Sequence, residues 1–141
     1  MYRHVLVPVD CTDDALRAMP PIIKFVAQMT SCQVTIAASV TPAPTEQISQ
    51  GKRLHAADAL NRLHAYLRGF GVHTQCRIVQ GADPATAFAA ESLNSLEQYD
   101  LILMAAYQTR IEGFDFPCTG SLVDQIAAGT GLPILVLPSR H

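Results

Sequence analysis

Three runs in this chain are apolar at every position: Val5-Leu6-Val7-Pro8-Val9, Leu101-Ile102-Leu103-Met104-Ala105 and Ile134-Leu135-Val136-Leu137. A strand with one wet face alternates in polarity, so a strand that is apolar throughout must be covered on both sides. Two further runs read as strands with more polar character. In one, Val34, Ile36, Ala38 and Val40 alternate with Thr35, Ala37 and Ser39. In the other, Val72, Thr74, Cys76 and Ile78 alternate with His73, Gln75 and Arg77. The latter is expected to have one wet face or to lie at a sheet edge.

Helical periods separate these strands. Thr12 or Asp13 can cap a helix whose apolar residues are Ala15, Ala18, Met19, Ile22, Ile23, Val26 and Met29. Pro20-Pro21 falls inside it, and two lost backbone donors predict a kink or a break. After the proline loop at 41–45, a long helix is expected over residues 51–70. Its apolar face is Ala56, Leu60, Leu63, Leu67 and Phe70, with glycines at 69 and 71 to end it. Asp83 as cap and Pro84 at the first helical position start a helix of about twelve residues. Gly120-Ser121 opens the last helix, ended by Gly129 and Gly131. Residues 107–119 show no clear period.

The order is therefore β-α-β-α-β-α-β-α-β. Strict alternation implies a parallel five-stranded sheet with helices on both faces, a three-layer α/β/α domain over residues 1–141. Ligands of such folds bind beyond the carboxyl ends of the strands, where strand order reverses. Here those ends are Val9-Asp10, the turn after Val40, and residues 105–108.

Composition narrows the function classes. Charged residues are 16% of the chain and hydrophobic residues 49%; about 25% charged is usual, and disorder is excluded. The formal net charge is −2 and the eight arginines are scattered. No basic stripe exists for a phosphate backbone, so nucleic acid is not expected as a partner. No apolar run approaches the ~20 residues of a membrane span, and the N-terminus lacks a signal-peptide core. The expectation is a cytoplasmic protein without a membrane partner. Cys11, Cys32, Cys76 and Cys118 lack the clustered spacing of a zinc site and are expected as free buried thiols.

Several ordered features resemble the universal stress protein (UspA) family. They are the first strand ending in Val7-Pro8-Val9-Asp10 and a long second helix after a variable loop. They continue with Val79-Gln80-Gly81-Ala82-Asp83-Pro84 and the fourth strand ending in Met104. Gly120-Ser121 opening a helix and the Leu132-Pro133-Ile134-Leu135-Val136-Leu137-Pro138 stretch complete the set. The resemblance covers essentially the whole chain. It implies a Rossmann-like sheet of order 3-2-1-4-5, a non-enzymatic role in stress response, and a homodimer formed through the last strand. The interface would then hold Pro133, Ile134, Leu135, Val136 and Leu137.

Some members of that family bind ATP. Their signature after the fourth strand is a glycine, two residues, a second glycine, nine residues, then Gly-Ser or Gly-Thr. Laid on this chain, the two glycine positions fall on Ala105 and Gln108, and eleven residues separate Gln108 from Gly120. Such glycines let backbone amides approach phosphates; only Gly120-Ser121 survives here. Phe114, Asp115 and Phe116 add a negative charge and rings without donors. The resemblance also implies a nucleoside half-site, with Asp10 contacting adenosine and Val40 helping to enclose the base. Pro8, Val9, Met104 and Ala105 would flank it. The leading expectation is thus an incomplete nucleotide site without a good triphosphate half; the alternative is ATP, ADP or AMP held by an atypical phosphate loop.

Other motifs have plain readings beside the functional ones. Asp10 reads either as a nucleoside contact or as a carboxylate favoured by a helix dipole. Gly120-Ser121 reads either as an anion cup or as an N-terminal cap. Cys11 and Arg17 match C-x5-R, the spacing of a thiol-dependent phosphatase. However, Asp13 and Asp14 would repel phosphate, and the loop has no glycine. His55 and His64 lie nine residues apart on one helix, on opposite faces, and cannot pair on a metal. Glu46, Asp58, Glu91 and Glu97 read as solvated charges. No catalytic residue and no metal site is assigned.

Overall fold

The computed structural model describes residues 2–9, 19–21, 23–24, 27–28, 32–106, 108–111, 114–117 and 120–138. Seven strands and three named helices follow in chain order. They are β1 His4–Pro8, β2 Gln33–Val40, α1 Glu46–Arg68, β3 Thr74–Gln80, α2 Pro84–Ser92, β4 Leu101–Ala106, β5 Gln108–Ile111, β6 Phe114–Pro117, α3 Gly120–Gly129 and β7 Ile134–Pro138. Residues 19–21, 23–24 and 27–28 are also helical.

Five strands form one sheet of order β3-β2-β1-β4-β7, and every pairing in it is parallel. This is the expected 3-2-1-4-5 topology. The apolar strands β1 and β4 lie inside the sheet, while the polar β3 lies at one edge and β7 at the other. Period-two geometry divides the strand side chains between two cores. Val5, Val7, Val9, Ile36, Val40 and Leu103 pack with Leu60, Leu63 and Leu67 of α1. Leu6, Ala37, Ile102 and Met104 pack with Phe88 of α2 and Ile126 of α3.

Helix α1 begins five residues before the expected start. Thr45 is its N-cap, with the side chain accepting from Ile48 N at 3.2 Å. The first turn holds one apolar residue, Ile48, which is exposed, so apolar periodicity could not reveal it. The helix ends at Arg68, and Gly71 adopts φ +79°, a left-handed conformation that glycine adopts without steric cost. Phe70 therefore lies beyond the helix and outside its buried face. It is exposed, with its ring 5.1 Å from that of Tyr66 and 4.2 Å below Lys24 Nζ.

Helix α2 is nine residues long rather than twelve. Asp83 caps it as expected, accepting from Thr86 N at 2.8 Å. Its early end follows from side chains that compete for the backbone. Ser92 Oγ donates to Ala89 O at 2.6 Å, and Asn94 Oδ1 accepts from Leu96 N at 3.0 Å. Residues 108–117, expected only as irregular chain, contain the antiparallel pair β5–β6. Strands of four residues are too short for period-two patterning to stand out.

Glu91 corrects another expectation. It is not solvated: its side chain is 7% exposed and lies 2.9 Å from Arg77 Nε. That approach is an ion pair whose angle does not make a hydrogen bond. Tyr99 Oη donates to Glu91 Oε2 at 2.7 Å, and Arg77 Nη1 donates to Glu97 Oε1 at 3.0 Å. His4 sits beside this cluster, with Nδ1 donating to Glu97 O and Nε2 2.7 Å from Thr35 Oγ1. Burial, and then the Glu91 carboxylate, hold the Tyr99 phenol well above its ordinary pKa. The cluster ties β1, β2, β3 and α2 together.

The thiols differ from expectation as well. Cys76 is exposed and Cys32 half-buried, because β3 is an edge strand and Cys32 stands just before β2. Cys76 Sγ faces Leu60 O at 3.8 Å, and burial of the thiol under α1 raises its pKa. Cys11 and Cys118 lie outside the described residues. Among the described residues, no helix is long and apolar enough to cross a membrane, and no group of side chains could hold a metal.

Candidate functional site

The register of the sheet shapes its carboxyl end. Pro8 pairs with Ala37, and Leu6 pairs with Ile102. Counting two residues further along each strand sets Pro8 level with Met104. Strand β2 continues three residues past Ala37 to Val40, about 10 Å at the usual rise per residue. Val40 pairs with Gln80 at the end of β3. The β2–β3 half of the sheet thus stands above β1 as a wall. Strand order reverses between β1 and β4, and the wall bounds that switch point on one side.

The expected site residues gather here in part. Pro8, Val9, Val40, Met104 and Ala105 all lie at this end of the sheet. Their side chains are not uniformly offered to a ligand. Val9 and Val40 are buried against α1, and Met104 is buried on the opposite face. Val9 N is already committed to Ala37 O at 2.8 Å. Contacts from Val9, Val40 or Met104 to a ligand would therefore run largely through backbone atoms. Gly120 and Ser121 open α3 as expected. Asp10 lies outside the described residues, as does the segment from Cys11 to Arg17 that carries the phosphatase spacing.

The segment between β4 and α3 holds a β-ladder. Gln108, where the second glycine of the ATP signature would stand, begins β5 and pairs with Pro117 of β6. A β-ladder turns successive amides in alternate directions, whereas a phosphate cradle needs consecutive amides converging on one point.

Sequence reasoning missed a second feature. A cavity of about 220 Å³ lies between the top of the β2–β3 wall and the first turns of α1. Val40, Thr41, Pro42, Ala43, Ser49, Arg53 and Gln80 line it. With the Gln80 amide oxygen turned to the guanidinium, it accepts from Arg53 Nη2 at 2.6 Å and Nε at 3.1 Å. Lys52 Nζ donates to Thr41 Oγ1 at 3.2 Å. The sequence signal was faint: Arg53 and Lys52 are adjacent in a helix, and Gln80 ends a strand. Only the pairing of Val40 with Gln80 brings them together.

At the β7 edge, Leu135 is 39% and Val136 37% exposed. Pro133 is exposed and Ile134 half-buried. The edge is apolar, and among the described residues its strand pairs with β4 alone.

No family model and no curated protein matches the chain. Solved structures do match it over nearly its full length. A universal stress protein from Archaeoglobus fulgidus aligns at 13% identity, with 99% of this chain and 100% of that one covered and a TM-score of 0.76. A universal stress protein from Archaeoglobus fulgidus in complex with dAMP gives 14% identity, 99% and 98% coverage and a TM-score of 0.70. A universal stress protein family protein from Arabidopsis thaliana with AMP bound gives 11% identity, 98% and 92% coverage and a TM-score of 0.66. Sheet order, strand direction and these likenesses agree: the chain has the fold of the universal stress proteins.

Proposed function

We propose that this chain is a universal stress protein: a homodimeric, non-enzymatic regulator with the nucleoside half of an adenine nucleotide site and without an efficient triphosphate half. The β5–β6 ladder carries this reading, because it occupies the segment where a phosphate cradle would have to form. The switch point between β1 and β4 supports the nucleoside half, as do the AMP and dAMP in structures of the same fold. The exposed apolar edge of β7 supports the dimer. An uncapped apolar edge strand is a template for pairing, and a second copy would cover it.

The test is a calorimetric titration with AMP, ADP and ATP, repeated on Asp10→Ala. The expected result is weak binding of all three, with no gain from the added phosphates. Micromolar, Asp10-dependent binding of ATP alone would overturn it.

A second reading, a true ATP binder with an unusual loop, draws on one observation. Helix α3 begins at Gly120, so its amino end stands where an anion could use the free N–H groups. The same titration separates the two readings by the ratio of ATP to AMP affinity.

A further inference from the structure

Arg53 lines the cavity above the β2–β3 wall, and Lys52, its neighbour in sequence, bonds Thr41 of the same lining; among the described residues neither has an acidic partner. Among the described residues, Arg62 pairs with Asp58, and Arg77 pairs with Glu91 and Glu97. Arg53 and Lys52 make no ion pair in that set. Gln80 takes up two of the five N–H groups of the Arg53 guanidinium, and Thr41 takes one of the three on the Lys52 ammonium. That leaves three donors on one cation and two on the other without a bond to any described residue.

The bond to Gln80 also fixes the guanidinium. A side chain that would otherwise sample many rotamers is held against the cavity by a two-point contact, so less ordering remains for a ligand to impose. Ser49 lies one turn before Arg53 on α1 and lines the same cavity. The Ser49 hydroxyl adds a neutral donor. Donors thus come from residue 41 of the loop and residues 49, 52 and 53 of the helix, rather than from one plane. A planar carboxylate is served by two donors in its own plane. Donors spread over several directions suit a tetrahedral oxyanion better.

Size gives a further bound. A cavity of about 220 Å³ is below the roughly 300–1,000 Å³ of sites that enclose whole small molecules. It has room for a phosphoryl group and a few waters. The lining carries one charge, that of Arg53, with the Lys52 ammonium beside it on Thr41, and Glu46 is the one carboxylate in the first turn of α1.

We infer that Arg53, Lys52, Ser49 and Thr41 form a phosphoryl-binding subsite at the carboxyl end of β2 and β3. It takes a phosphomonoester or pyrophosphate group, and it is separate from Gly120-Ser121 at the start of α3. The inference does not rest on the nucleotide reading: Val40 lines this cavity and was also expected beside the base, but none of the four donor residues belongs to that site.

The test uses inorganic phosphate, pyrophosphate and citrate as probes, titrated by nuclear magnetic resonance into the full chain at low salt. Saturable binding of phosphate and pyrophosphate is expected, with amide shifts centred on Thr41, Ser49, Lys52 and Arg53 and weakening as salt is added. Arg53→Met should weaken it by about tenfold or more, the loss of a charge-assisted hydrogen bond. Gln80→Glu is the second variant. It keeps the link between α1 and β3 but neutralises the guanidinium, so it should abolish binding while leaving the fold intact. Asp10→Ala should leave binding unchanged, whatever happens to AMP in that variant. Absence of saturation at millimolar phosphate would overturn the inference, as would wild-type binding in Gln80→Glu. Citrate binding as tightly as pyrophosphate would overturn the choice of a tetrahedral group.

Discussion

Glu91 is the residue at which burial and charge most visibly conflict. A carboxylate with a side chain 7% exposed survives because Arg77 and the Tyr99 hydroxyl both face it. Glu91→Ala would leave Tyr99 Oη without its acceptor and Arg77 with Glu97 alone. The expected cost is about 2 kcal/mol, the lower end for breaking a buried pair because Arg77 remains partly in water. Urea denaturation measures it. The same pair sets a pH dependence. The folded Tyr99 keeps its proton above its ordinary value of 10.0, so the unfolded chain gives the proton up first. The stability linked to neutral Tyr99 is full below that pH and declines as pH rises past it. In Tyr99→Phe the alkaline decline above pH 10.0 should be shallower, as thermal unfolding at a series of pH values would show. Nothing in the sequence announced this cluster. Glu91 and Tyr99 are eight residues apart and Arg77 stands on another element, so only the packing of α2 against β3 joins them.

At the scale of elements, apolar periodicity carried most of what could be read. Strands β1 and β4 were legible because full burial leaves them no polar position. The start of α2 was legible because Asp83 and Pro84 have local roles that do not depend on the rest of the fold. Asp83→Ala should destabilise the protein by about 1 kcal/mol, the usual worth of such a cap, as read from a urea midpoint. The elements that escaped were polar or short. The first turn of α1 buries nothing, its one apolar residue Ile48 being exposed, and β5 and β6 are four residues each. The candidate site was legible to the same uneven degree. Residues at strand ends could be named from topology alone, whereas the cavity of Arg53 and Gln80 needed the register between β2 and β3.

For the whole molecule, the low charge has two sources. A sheet covered on both faces accounts for the apolar strands β1 and β4. The remainder is spread over the surface, at Leu54, Leu93 and Leu96 among others, and includes the β7 edge, where Leu135 and Val136 are exposed. Val136→Lys should leave the monomer folded and prevent edge-to-edge pairing, because a lysine on an edge strand cannot be buried cheaply against its own copy. Sedimentation velocity of both proteins at matched concentration is the check: a dimer is expected for the wild type and a monomer for the variant.

The central claim is a nucleoside half-site whose phosphate half has been replaced by a β-ladder, and amide spectra recorded with saturating AMP and then ATP test it most directly. The account predicts shifts at Val9 and Val40 that are the same for both ligands, with residues 108–111, Gly120 and Ser121 responding no more to ATP than to AMP. Additional ATP-specific shifts across 108–121 would contradict it.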